Sequence, residues 1–365
     1  MQPEIFRGSR EPVKDMKPYS PPIEGRSATN FLRLDFNERT TPPHALVLEA
    51  VREYGEKGEF QTYPEYGDLD EVIANFAGVK PGEVIPTVGG DQAIDIVTRL
   101  LVKDGDNVII PAPTFAMLEQ SAHVQGANII SPRYKGSDLE FPFDEVMEAI
   151  RPGVKLVVVC NPNNPTGTPV PREQLEEIIE KAAEVNAGVL ADEAYNDFAP
   201  ELTVIDGINK YPNLFIVRSL SKNMGLSALR AGYVASSAEN IAQLRKIRGP
   251  YDLSTVTALA IKTLRYPEVV ADIKEYVSEV MTVSKPMLED FYRRNGIKFF
   301  PSSAGFHLLE EPPGLIDFLK EEKNILVRRR PDPEGTVRVS IGKREDTKKY
   351  IEALQEYIQD LQVDK

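Results

Sequence analysis

The chain has 365 residues, 41% of them hydrophobic, with 43 lysines and arginines against 56 aspartates and glutamates, a formal net charge of -13. That composition fits a globular protein of about two domains, and the acidic excess argues against nucleic acid as a main partner. A lone Cys160 excludes an internal disulfide, and His44, His123 and His307 stand too far apart for a zinc site.

The first forty residues carry Pro3, Pro12, Pro18, Pro21 and Pro22, which suits an extended arm better than a helix. Residues 1–20 are polar, without the apolar stretch of a signal peptide, and no apolar run approaches the ~20 residues of a membrane span. A soluble, cytoplasmic protein is expected. From residue 84 onward, short apolar runs alternate with amphipathic stretches. Residues 84–88, 107–111, 127–131, 155–160 and 188–191 read as buried strands, and 92–101, 115–123 and 172–184 as helices. Strand and helix in alternation predict βαβ units and a mainly parallel sheet between helices, completed by 214–217 and 232–235. The last third differs. Residues 258–265 and 267–295 read as helices, 305–309, 324–327 and 337–341 as a small sheet, and 347–361 as a closing helix. The expected organisation is an arm (1–43), a large α/β domain (44–255) and a smaller α+β domain (256–365).

Five clusters carry chemistry. Ser219-Leu-Ser-Lys222, followed by Arg230, sets an amine that desolvation and nearby cations can activate beside donors for a phosphate. A lysine after a strand is most often solvated, but this company points to pyridoxal phosphate held as a Schiff base. Asp192-Glu-Ala-Tyr195 follows the run 188–191. The bland reading is turn chemistry; the functional one sets Asp192 against a pyridinium nitrogen and Tyr195 near a phenolate oxygen. Asn161-Pro-Asn-Asn-Pro-Thr-Gly167 makes a stiff loop where α/β sheets bind ligands, with Asn164 aimed at the ring and the substrate carboxylate. Val88-Gly-Gly-Asp-Gln92 opens a helix whose free N–H groups suit an anion, and Phe115 is placed to stack on a ring. Arg338 lies inside a predicted strand and must meet solvent or an anion, as a carboxylate-binding residue would; Arg328, Arg329 and Arg330 read most simply as a solvated patch. No G-x-S-x-G elbow supports a serine hydrolase.

Together these segments resemble the fold-type I pyridoxal phosphate enzymes, and within them the histidinol-phosphate aminotransferases. The match runs from Met16-Lys-Pro-Tyr19 through Phe36-Asn-Glu38, Tyr63-Pro-Glu65, residues 161–167, 192–198 and 219–222, to Gly249-Pro-Tyr-Asp-Leu-Ser254 and Val337-Arg-Val-Ser-Ile-Gly342. The resemblance implies Lys222 as the Schiff-base lysine, Asp192 as pyridinium partner, and Tyr195 and Asn164 as phenolate hydrogen-bonders. It gives Phe115 the stacking place. Phosphate contacts fall to the backbone of Gly90, Asp91 and Gln92, to Ser219, Ser221 and Arg230, and to Tyr63 across a homodimer interface on which the arm also packs. Arg338, Arg328, Tyr19, Asn37 and Asn164 fall to the substrate.

The activity implied is ping-pong transfer of an amino group between L-histidinol phosphate and 2-oxoglutarate, a step of histidine biosynthesis. An aromatic amino-acid aminotransferase and a decarboxylase of the threonine-phosphate type are the alternatives, and a cofactor-sensing binding module would need a further domain. Asn37-Glu-Arg-Thr-Thr-Pro42, Gly305-Phe306 and the extra Arg329 and Arg330 depart from the family pattern, all in the shell that recognises substrate.

Overall fold

The computed structural model describes residues 10–14, 16–21, 26 and 31–363; the rest of the expected arm lies outside the described residues. Within the arm, Glu11–Lys14 forms a single helical turn, and the two-residue strand β1 (Leu32–Arg33) follows. Then come β2 (Val84–Val88), β3 (Asn107–Ile109), β4 (Asn128–Ile130), β5 (Val154–Cys160), β6 (Gly188–Asp192), β7 (Leu214–Ser219) and β8 (Ala231–Ala235). These seven form one sheet in the order β2-β8-β7-β6-β5-β3-β4. Every pairing from β4 to β7 is parallel, while β8 runs antiparallel to both its neighbours.

Strands covered on both faces must be apolar on both, and β5 shows how. Val157 and Val159 pack with Leu175, Ile178 and Ile179 of the helix Arg172–Glu184. Their neighbours Leu156 and Val158 pack on the opposite face with Ile94 and Val97 of the helix Gly89–Leu101. Each such fully buried aliphatic side chain stabilises the fold by roughly 1.5–3 kcal/mol relative to exposure. Two helices ahead of the sheet, Ala45–Lys57 and Leu69–Ala77, had no counterpart in the expectation. Each stops at a glycine in the left-handed region, Gly58 and Gly78, a stop signal that was present in the sequence.

The C-terminal part has its own core and its own sheet. Strands β9 (Phe306–Glu310), β10 (Ile325–Leu326), β11 (Arg328–Arg330) and β12 (Thr336–Ser340) follow one another, and the small antiparallel sheet has the order β11-β12-β9. The expected third strand over 324–327 is corrected here. Ile325 enters the core of this region, but β10 pairs with β1 and so ties the arm down, while the arginine run supplies the sheet's edge. The helix expected over 267–295 divides into Pro267–Glu279, a π turn Val280–Ser284, and Lys285–Arg294. Pro286 has no N–H for the preceding turn, which accounts for the altered hydrogen-bond spacing. Among the described residues no helix is long and apolar enough to cross a membrane, and no cluster of side chains suits a metal ion.

Candidate active site

The carboxyl ends of β5, β6 and β7 meet one edge of the large sheet, and each is followed at once by a predicted motif. Antiparallel pairing brings two more segments to that edge. Ser219 sits opposite Gly232 and Val88 opposite Ala231, so Arg230 and the start of the helix Gly89–Leu101 arrive beside Ser219. Between this edge and the small sheet lies a cavity of about 680 Å³, lined by side chains from both.

One end of the cavity is made by close backbone approach. Gly89 has φ +71, and a Cβ there would lie 2.8 Å from Arg230 Nη2. A Cβ on Gly232 would lie 2.7 Å from the carbonyl carbon of Gly89. Only glycine at both places lets the helix start lie directly against β8, with its first-turn N–H groups at the cavity. Gly90, Asp91, Ser219, Ser221 and Arg230 all line this end. Arg230 donates to Asp91 Oδ2 at 2.9 Å, and Ser219 Oγ accepts from the Ser221 N–H at 3.3 Å. Ser221 Oγ is buried with no hydrogen-bond partner. Helix start, guanidinium and spare hydroxyl together make a place for a phosphate.

At mid-cavity Asp192, the last residue of β6, is buried, and its Oδ1 accepts the Ala194 N–H at 3.1 Å. Burial, joined by the charge of Asp91, raises its carboxyl to about 6 against the opposing Ala194 hydrogen bond. Lys222 Nζ donates to the Phe36 carbonyl at 3.0 Å and stands 5.7 Å from the centre of the Tyr195 ring. The Tyr195 hydroxyl accepts from Asn37 Nδ2 at 3.0 Å and from Asn164 Nδ2 at 3.5 Å. Phe115, half-buried, lines the same space.

The far end belongs to the arm and the small sheet. Arg338 is 4% exposed, donates from Nη2 to the Asp35 carbonyl at 2.8 Å, and donates from Nη1 to Asn164 Oδ1. Burial pulls its guanidinium down to about 10. Arg328 and Tyr19 line this end as well.

Three expected residues stand apart from the cavity lining. Gln92 turns its side chain away, accepting from the Val88 N–H at 2.8 Å and donating to Asp252 at 2.6 Å, so only its backbone faces the helix start. Asn37, at φ 53, meets the site through Tyr195. Tyr63 is 75% exposed and stacks on Tyr251 with ring centres 4.5 Å apart. Arg26, Phe36, Glu38 and Arg330 also line the cavity; sequence reasoning missed Arg26, gave Phe36 no role, and set Glu38 and Arg330 in the substrate shell without a named contact. Arg26 lies 4.0 Å over the Phe36 ring and bonds Asp35 and Glu38 at 2.7 and 2.6 Å. No motif marks Arg26, whereas Phe36 and Glu38 lie in the matched segment Phe36-Asn-Glu38.

Known proteins match this chain along most of its length. A histidinol-phosphate aminotransferase from a Thermoanaerobacter species is 30% identical over 361 residues, covering 96% of this chain and 98% of that protein. The histidinol-phosphate aminotransferase of Sulfurisphaera tokodaii is 31% identical over 332 residues, 90% of each chain. Among solved structures, histidinol-phosphate aminotransferase from Sinorhizobium meliloti in complex with pyridoxal-5'-phosphate shares the fold with a TM-score of 0.79 at 23% identity, covering 90% of this chain and 91% of that one. The family model described as aminotransferase class I and II matches residues 29–354. The chain therefore belongs to the aminotransferase class I and II family.

Proposed function

We propose that this chain is a pyridoxal phosphate-dependent aminotransferase that moves an amino group between L-histidinol phosphate and 2-oxoglutarate. The observation that carries the reading is one cavity joining a lysine amine, a buried carboxylate at a strand end, and an anion cradle. The cradle passes a direct test of fit, since Ser221 Oγ is buried without a partner and a Cβ on Gly89 would strike the Arg230 guanidinium that lines it. Bound there, pyridoxal phosphate supplies an aldehyde for amines and a ring that takes up electron density.

The residues divide the work. The N–H groups at Gly90, Asp91 and Gln92, with Ser219, Ser221 and Arg230, hold the phosphate. Asp192 would meet the ring nitrogen and favour its protonated form, while Phe115 would lie against the ring. Tyr195 and Asn164 bond the ring oxygen, with Asn37 orienting the Tyr195 hydroxyl. Lys222 Nζ takes the proton from the donor Cα and returns it, a transfer that needs the amine within hydrogen-bond reach. Arg338, with Arg328, Tyr19 and Asn164, holds the anionic group of each substrate in turn, and Asn37, expected among them, acts through Tyr195 instead.

Tyr63 reaches the phosphate of a partner subunit in a homodimer, a role supported by its exposure while stacked on the exposed Tyr251. A cytoplasmic location goes with small-molecule substrates and the absence of an apolar spanning helix among the described residues.

The test is an absorbance titration of the protein loaded with pyridoxal phosphate. L-histidinol phosphate should bleach the yellow band and 2-oxoglutarate restore it. A band that ignores the donor sinks the choice of substrate. No band after loading folded protein sinks the role of Lys222. Equal kcat/KM for phenylalanine and L-histidinol phosphate would replace the phosphate donor with an aromatic amino acid.

A further inference from the structure

Alternate side chains of a strand point to opposite faces, and this sorts the arginine run of β11. Arg329, expected in the substrate shell, lies outside the cavity instead: it turns outward and donates from Nε to Glu311 at 2.8 Å. Arg328 and Arg330 fall on the other face and both line the cavity. β11 pairs antiparallel with β12 so that Arg328 lies directly across from Arg338. Residues directly across a ladder share a face, so three guanidiniums stand on one wall.

Their charges are unmatched. Arg26 has Asp35 and Glu38, and Arg230 has Asp91. Among the described residues no carboxylate lies within ion-pair distance of Arg328, Arg330 or Arg338. Asp332, close to Arg330 in sequence, is held instead by both terminal nitrogens of Arg133, at 2.7 and 2.8 Å. The Nε atoms of Arg330 and Arg338 are buried without any hydrogen-bond partner. Like charges facing each other weaken a strand pair, and a buried donor without a partner adds to that cost. One carboxylate on Arg338 leaves two cations of the wall unanswered.

We propose that Arg330 is a specificity-determining residue which, with Arg328, receives a second anionic group far from the reacting carbon. The substrates it selects carry an anion far from the reacting carbon, with or without a carboxylate beside it: dicarboxylic 2-oxo and amino acids, and phosphorylated amino acids and amino alcohols. The inference rests on reading the cavity as an amino-transfer site, and it goes further by assigning the extra arginine. 2-Oxoglutarate meets the requirement with two carboxylates, and the same wall gives the phosphate of L-histidinol phosphate more than one guanidinium.

The experiment uses the holoenzyme and the variants R330Q, R330K and R329Q. Binding of succinate and of propionate, neither of which has an amine or ketone to react, is measured by calorimetry. kcat/KM is then compared for 2-oxoglutarate against 2-oxobutyrate, and for O-phospho-L-serine against L-serine. R330Q should weaken succinate and lower kcat/KM for the two-anion substrates about ten- to hundredfold, the effect of losing one charged hydrogen-bonded contact. Propionate and 2-oxobutyrate should change less than about twofold, R330K should recover part of the loss, and R329Q should match the wild type. Loss in the carboxylate pair alone, or in the phosphate pair alone, names which second anion Arg330 serves. Equal loss for one-anion and two-anion ligands, or no loss in R330Q, overturns the proposal. Because the succinate preference is read without turnover, it stands or falls separately from transamination of L-histidinol phosphate.

Discussion

The sheet end of the cavity and the arginine end are built from different material. At the sheet end, segments of three or four consecutive residues leave the strands and meet at once, and the cationic Arg230 already has Asp91. At the arginine end, side chains come from residues 19, 26, 36, 328, 330 and 338, and three guanidiniums have no carboxylate. The difference follows from what each end must hold. A group that stays bound can be gripped by fixed backbone N–H groups, which are pre-ordered by the helix and lose little freedom on binding. Two substrates that alternate need charge without a single rigid frame.

The largest expected effect breaks the sheet end. Lys222→Ala removes the lysine amine placed for proton transfer and should lower single-turnover rates by about a thousandfold or more, read by stopped-flow absorbance. Pyridoxal phosphate should still bind, because the cradle residues are untouched; loss of binding too would merge the two roles assigned to this end.

Asp192→Asn should cost about a hundredfold in kcat while making the cofactor-free protein more stable. The sign follows from burial, which raises the folded carboxyl from 3.8 to about 6. Between those values the folded chain holds a proton that the unfolded chain has released, so wild-type stability falls as pH rises through this window and the penalty is complete above it. Removing the charge should return on the order of 3 kcal/mol at pH 7, shrinking toward pH 4, in urea unfolding curves. A variant no more stable than wild type would show that Asp192 is comfortable without its ligand.

Arg338→Lys tests the other end. Lysine cannot keep both the Asn164 and Asp35 contacts, and kcat/KM for every carboxylate substrate should fall about ten- to hundredfold, with pyridoxal phosphate affinity unchanged. A fall in cofactor affinity would erase the distinction between the ends. Tyr63→Phe should do the least, a few-fold weaker hold on the cofactor measured by equilibrium dialysis, and only in a dimer. Unchanged affinity would return Tyr63 to the surface.

Legibility in the sequence divides along the same line. The motifs of the sheet end are contiguous, each beginning where an apolar run stops, so strand, loop and site side chain are read in one pass. The arginine end depends on pairing across hundreds of residues. Nothing near Phe36 announces that its carbonyl will meet Lys222, and Asn37, at φ 53, meets Tyr195 from 158 residues away in the chain. The run 328–330 offered a solvated patch as the simpler reading because three charged residues are too few to display a two-residue period. Two early helices escaped as well, although their terminal glycines were in plain view.

The tight contact between Gly89 and Gly232 also bears on how this protein can change over generations. A single added methyl at Gly232 would strike the backbone of a second strand-to-helix turn, so mutation has almost no room at the cradle. β11 is the edge of a three-stranded sheet, with a partner on one side only, and its cavity-facing positions can vary while the ladder to β12 persists. New substrate preferences are therefore within reach of one or two substitutions at 328 and 330, on a chemical engine that stays as it is.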